Sequence, residues 1–171
     1  MLNEILKSTI YFSYNQFMVF DEQFDREAGL LWTPTHSKQG FARRQSSASF
    51  LTLAQFGYAD LVVGASLFAS KSDYIRAISV PFYTPSGRVL IEGPDEVRIG
   101  RIVVIGAGYY RLTAAQRLVE RALYQDEEDT IAIDLYLEMV ETPLLKSEIV
   151  ISDQGLAPSG LLVEDADVAT Y

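Results

Sequence analysis

Residues 9–20 read TIYFSYNQFMVF, and the alternation inside this stretch decides the fold class. Ile10, Phe12 and Tyr14 share one face of an extended chain, after which the apolar phase moves to Phe17 and Val19. A period of two in an aromatic and β-branched segment predicts a half-buried strand. The one-residue phase slip predicts a β-bulge near Asn15-Gln16.

The same texture extends outward in both directions. Residues 21–31 are charged and loop-like, and Trp32-Thr33-Pro34 opens a short segment over 34–45. Thr33 is placed to cap it and Pro34 to occupy the first helical position, giving one short helix. Segments 47–56 and 60–69 read as strands joined at Gly57-Tyr58, and 75–83 as another. Pro81 lacks an N–H to donate, so that strand lies at an edge or ends there. Pro85-Ser86-Gly87 leads into 88–92, segments 97–105 and 109–116 read as a strand pair about Gly106-Ala107-Gly108, and 130–140 alternates again. A short apolar run at 149–151 interrupts a tail with Pro143, Pro158 and Gly160. Short strands separated by turn residues predict an all-β fold, a β-sandwich of short antiparallel strands with one short helix, in a single domain over 1–171.

Composition narrows the function classes. The 171 residues are 49% hydrophobic and 22% charged, ordinary for a globular chain able to bury its own core. The absence of cysteine excludes disulfides, zinc–thiolate sites and a thiol nucleophile. No stretch of 18 apolar residues occurs, and Met1–Ser8 lacks a basic export region, so the expectation is a soluble cytoplasmic protein. The net charge of −9 is one-sided. Residues 1–85 hold seven Lys/Arg and seven Asp/Glu, whereas 86–171 hold seven and sixteen. Such a surface repels phosphate backbones, which argues against direct nucleic-acid binding and for a basic partner.

Residues that could carry chemistry are few. His36 is the only histidine; it cannot build a zinc site alone, no strained serine elbow accompanies it, and it reads as a surface residue beside Lys38. Glu127, Glu128, Asp129 and Asp134 lack the spacing of a calcium loop and read as a solvated loop running into a strand. Residues 102–118 (IVVIGAGYYRLTAAQRL) imitate a dinucleotide-binding opening. The third small residue that this fingerprint needs is replaced by Arg111, and Tyr109 and Tyr110 crowd the pyrophosphate position. No catalytic residue, cofactor or metal is therefore assigned. The alternatives kept open are a dinucleotide-dependent enzyme using Gly106-Ala107-Gly108 and a structural or lipid-facing β-sandwich binding module.

Four stretches in order carry a resemblance to a known family. They are Ile10-Tyr11-Phe12-Ser13-Tyr14-Asn15-Gln16-Phe17-Met18-Val19-Phe20; Trp32-Thr33 with Gly40-Phe41-Ala42 and Ser47-Ala48-Ser49-Phe50; Ile78-Ser79-Val80-Pro81-Phe82; and Gly108-Tyr109-Tyr110-Arg111-Leu112-Thr113. Together, over about residues 9–138, the chain resembles the competence protein J family, small bacterial proteins encoded with a DNA-entry nuclease. The resemblance implies a non-catalytic inhibitor or immunity-type protein that binds a nuclease, cytoplasmic or held through its partner at the inner face of the membrane. It makes Gly106 and Gly108 turn glycines before a strand. It supplies no binding residues.

Two regions depart from the family pattern, the longer loop over 116–129 and the extension 141–171. Both are acidic: residues 126–171 hold twelve Asp/Glu and one Lys. The contiguous carboxylates Asp126, Glu127, Glu128 and Asp129 are thus the first candidates for contact with a basic nuclease, and the tail carboxylates Glu164, Asp165 and Asp167 the second.

Overall fold

In a computed structural model, which describes residues 2–27, 29–96, 101–119 and 130–169, the 9–20 stretch is two strands in different sheets. β1 (Glu4–Phe12) and β2 (Gln16–Asp21) are separated by a tight turn in which Tyr14 (φ 53°) and Asn15 (φ 57°) both lie in the left-handed region. Gln16 N closes the turn on Ser13 O at 3.0 Å. The expected bulge is therefore a sheet change. The phase slips because Ile10 and Phe12 face the core from one sheet, and Phe17 and Val19 face it from the other.

The remaining elements are a kinked 3-10 segment (Glu22–Glu27), α1 (Pro34–Gln39), β3 (Phe41–Arg44), β4 (Ser47–Leu51), β5 (Gly57–Gly64), β6 (Arg76–Thr84), β7 (Arg88–Glu92), β8 (Ile102–Val104), β9 (Gly108–Val119), β10 (Thr130–Val140) and β11 (Glu148–Ile151). The large sheet has the order β1-β5-β10-β9-β6-β11 and the small one β3-β4-β2-β7-β8. All pairs are antiparallel except β10 with β5, so the large sheet is mixed. Among the described residues the fold is thus the expected all-β sandwich with one short α-helix, with one parallel pair where antiparallel strands were expected.

Four connections carry the chain between sheets: 13–15, 52–56, 85–87 and 105–107. The last corrects the expected strand pair about Gly106. β8 pairs with β7, while β9 pairs with β6 and β10, so the glycines change sheets instead of closing a hairpin; residues 97–100 lie outside the described residues. Gly106 (φ 96°) meets a real backbone demand, and Gly87 (φ 69°) a steric one, since a Cβ there would lie 2.7 Å from the Gly106 carbonyl carbon. Because an antiparallel strand and no helix follows Gly108, the dinucleotide-binding alternative loses the helix N-terminus that it requires.

The two sheets bury one shared core, with Phe12, Phe17, Phe50, Leu61, Phe82, Leu112 and Ile133 among its members. Each fully buried side chain of this kind stabilises the fold by about 1.5–3 kcal/mol. Pro81 sits inside β6, which continues to Thr84. Its carbonyl accepts from Arg43 Nε on the flank away from β9, and β11 covers only Ala77 to Ser79 of that flank. The missing N–H therefore falls where no ladder exists.

Candidate partner-binding surface

The first-ranked carboxylates, Asp126 to Asp129, lie outside the described residues. The strands that flank them are informative: Val119 and Thr130 are register partners, and Ile131 pairs with Ala59 near the start of β5. The ends of β9 and β10 thus reach the end of the sandwich that carries the 13–15 and 52–56 connections. Those two connections are tied together, Asn15 N donating to Gln55 O (2.9 Å) and Thr52 N to Asn15 O (2.8 Å).

This end also displays aromatic rings that the core does not use. Tyr14 is 72% and Phe56 64% exposed. Tyr58 is partly exposed and meets Tyr11 edge-on at 5.2 Å between ring centroids. A tyrosine held at φ 53° costs about 1–2 kcal/mol of backbone strain, so the turn presents its ring to solvent against the local preference.

The tail carboxylates divide by strand alternation, although residues 161–168 form no ladder beyond the Leu30–Val168 bridge. Leu161, Val163, Asp165 and Asp167 face outward, while Leu162, Glu164, Ala166 and Val168 turn inward. Asp165 and Asp167 therefore stand on one exposed face beside apolar neighbours. Glu164 does not join them: its oxygens accept from Ser147 N and Ser147 Oγ, both at 2.6 Å, with Arg43 at 3.8 Å.

His36 corrects the expectation of a surface residue. It is 3% exposed. Thr33 caps α1 as expected, and the His36 Nδ1 accepts from Thr33 N (3.0 Å) to complete a capping box. The opposite ring nitrogen, Nε2, then carries the proton and donates to Asp165 O (3.0 Å). The helix also stops earlier than 45, at Gln39, where Gly40 takes a left-handed C-cap (φ 85°).

Asp134 corrects the expectation of a solvated loop. It lies within β10 on the outer face of the large sheet, buried beneath residues 65–75. Tyr74 Oη donates to it at 2.5 Å and Lys71 Nζ at 3.1 Å, while Tyr136 Oη meets Tyr74 Oη. Burial first, and the Asp134 hydrogen bond second, push the Tyr74 phenol well above its ordinary value. The hydroxyl stays protonated and holds the covering segment down. Nothing in the one-dimensional pattern flagged this cluster, because Asp134 lies 60 residues from Tyr74 and 63 from Lys71.

Two further ion pairs fasten the ends of the sandwich. Arg101 pairs with Glu96 at side-chain exposures below one-tenth. Arg76 grips Asp153 through Nε (2.7 Å) and Nη2 (2.9 Å), anchoring the start of the tail. Among the described residues, no three His, Cys, Asp or Glu side chains gather as metal ligands, and no helix is long and apolar enough to cross a membrane.

These features define a two-sheet β protein whose distinctive surfaces are aromatic and acidic. Over residues 9–138 the chain matches the model of the competence protein J (ComJ) family, and it belongs to that family. Among solved structures it resembles Bacillus subtilis ComJ, an inhibitor of the DNA-degrading activity of NucA. The identity is 23%, the TM-score 0.62, and the alignment covers 82% of this chain and 99% of that one. A second similar structure is the product of crocagin biosynthetic gene J, at 15% identity and TM-score 0.44, covering 77% and 98%. No curated protein sequence matches the chain.

Proposed function

We propose that this chain binds a nuclease and inhibits it, with no chemistry of its own. The observation that carries this reading is the family match over residues 9–138; the similar Bacillus subtilis structure is that of an inhibitor of a DNA-degrading enzyme. The physics is compatible. Nuclease clefts are basic because they hold phosphates, and a chain of net charge −9 is steered toward such a cleft, with association rates raised by roughly 10–10³-fold.

The contacts assigned are the Asp126–Asp129 run and the outward carboxylates Asp165 and Asp167 as steering charges, with Tyr14, Phe56 and Tyr58 as anchors. Aromatic side chains supply most of the energy in such interfaces, and rim charges supply rate and specificity. Glu164 is omitted because its carboxylate is engaged by Ser147.

The test is affinity capture with the tagged chain from its source organism, followed by a DNA-degradation assay on the captured protein. Stoichiometric loss of nuclease activity on adding the chain back is expected. Capture of no nuclease, or of one whose activity is unchanged by the chain, would overturn the reading.

A further inference from the structure

Residues 161–169 lie in a bed whose recognising atoms sit mainly on side chains of α1 and β3 and whose targets are mainly main-chain atoms. Gln39, 1% exposed, closes a two-bond clamp on Val163: its Oε1 accepts from Val163 N (2.8 Å) and its Nε2 donates to Val163 O (2.9 Å). The next three carbonyls are taken in turn. Glu164 O accepts from Arg43 Nη1 (2.9 Å), Asp165 O from His36 Nε2 (3.0 Å) and Ala166 O from Arg44 Nη1 (3.1 Å). Asp167 O then accepts from Leu31 N (2.7 Å), and Ala169 N donates to Gly29 O (2.8 Å).

Two side chains of the segment are also read closely. The Glu164 carboxylate is held by Ser147, and Ala166 is buried against Leu30 and Ala42 beside Trp32. Three side chains of the bed are also held by contacts outside the segment. The capping box fixes His36, Gln39 also donates to Phe41 O (3.0 Å), and Arg43 donates to Pro81 O (3.1 Å). Buried polar groups of this kind are costly to leave unpaired, and main-chain recognition is indifferent to most side chains above it. Apart from Ser147, the bed falls within the family-matched residues 9–138, and the segment filling it falls outside them. The two are joined through the exposed segment Pro158-Ser159-Gly160.

We propose that the face formed by α1 and β3 is a binding site for an extended peptide, which residues 161–169 fill in cis. Its ligand class is a strand-like segment with a glutamate followed two positions later by an alanine-sized residue. The glutamate meets the Ser147 donors beside Arg43, and the small residue enters the space between Leu30 and Ala42. Leu162 also packs against the core, so an apolar residue is favoured two positions before the glutamate, and the outward positions 163, 165 and 167 are held by their backbone alone.

The test uses the full-length chain with a protease site introduced at Ser159–Gly160, folded first and cleaved afterwards. A fluorescent peptide of residues 161–171 is titrated by anisotropy. Saturable binding is expected to the cleaved protein after the nicked segment has been removed. Binding to the uncleaved protein should be at least about 100-fold weaker, because a tethered segment competes at an effective concentration near millimolar. Glu164→Gln or Ala166→Leu in the peptide, or Gln39→Ala in the protein, should each weaken binding about tenfold or more. Absence of saturable binding, or equal binding of a scrambled peptide, would overturn the proposal. If removing the segment unfolds the protein, the readout becomes restoration of the melting transition by added peptide, and failure to restore it overturns the proposal equally.

Discussion

Replacing Asp153 with Asn removes one charge from a nearly closed pair. The Arg76 side chain is 5% exposed and that of Asp153 18%, so the substitution leaves a buried guanidinium charge with no counter-charge, its acceptors reduced to Leu51 O (3.1 Å) and the neutral oxygen of the new amide. Breaking a buried pair from one side costs about 3–5 kcal/mol. The retained Leu51 bond and the water that reaches Asp153 place this case at the lower end, about 3 kcal/mol. For a chain of this size, that lowers the melting temperature by about 6–12 °C. Burial alone would raise the Asp153 carboxyl, but the Arg76 hydrogen bonds and charge, helped by the Gly155 amide, hold it below the usual range. The folded value is therefore lower than the unfolded one, about 3.9. The pair's stabilisation is fully present above that value and is lost as pH falls through the folded value. Urea unfolding at pH 7 and at successively lower pH should show wild type and variant converging in acid. An Arg76→Met/Asp153→Leu double variant should recover much of the loss. A difference under about 1 kcal/mol at pH 7, or one that persists undiminished in strong acid, would refute the reasoning.

The other predictions concern the surface and the helix. Neutralising Asp126, Glu127, Glu128 and Asp129 to Asn/Gln should leave stability within about 0.5 kcal/mol while slowing nuclease association and flattening its salt dependence; stopped-flow binding at two ionic strengths decides it. Tyr14→Gly should raise stability by about 1 kcal/mol through relief of the left-handed strain yet weaken partner binding, so a variant that melts lower, or binds as well, contradicts the assignment. Trp32→Ala should cost about 2 kcal/mol, below the range for a fully buried indole, since Trp32 is half-buried and donates through Nε1 to Gln16 Oε1 (3.0 Å). His36→Ala should cost about 1–2 kcal/mol for the lost capping box and should speed proteolysis after Gly160, measured by limited digestion.

What the amino-acid sequence determined by itself was local. Alternation over 9–20 and 130–140 announces strands because side chains on a pleated strand alternate between faces. Thr33-Pro34 announces a capped helix because the cap and the fixed φ of proline act within one turn. Gly87 and Gly106 announce changes of direction because a positive φ is a property of one residue. The four matched stretches were also sufficient to identify the family. The sequence could not say which turns reverse the chain within a sheet and which carry it across to the other. The slip at Asn15-Gln16 has the same one-dimensional signature in either case, and the partner of each strand is set by contacts many residues distant. The same limit hid the roles of His36, Asp134 and Glu164. His36 and Asp134 read as solvated, and Glu164 as a partner-facing carboxylate, until the tertiary fold brings a carbonyl, a tyrosine or a serine from 17 to 129 positions away within hydrogen-bonding distance, and burial makes the contacts of His36 and Asp134 obligatory.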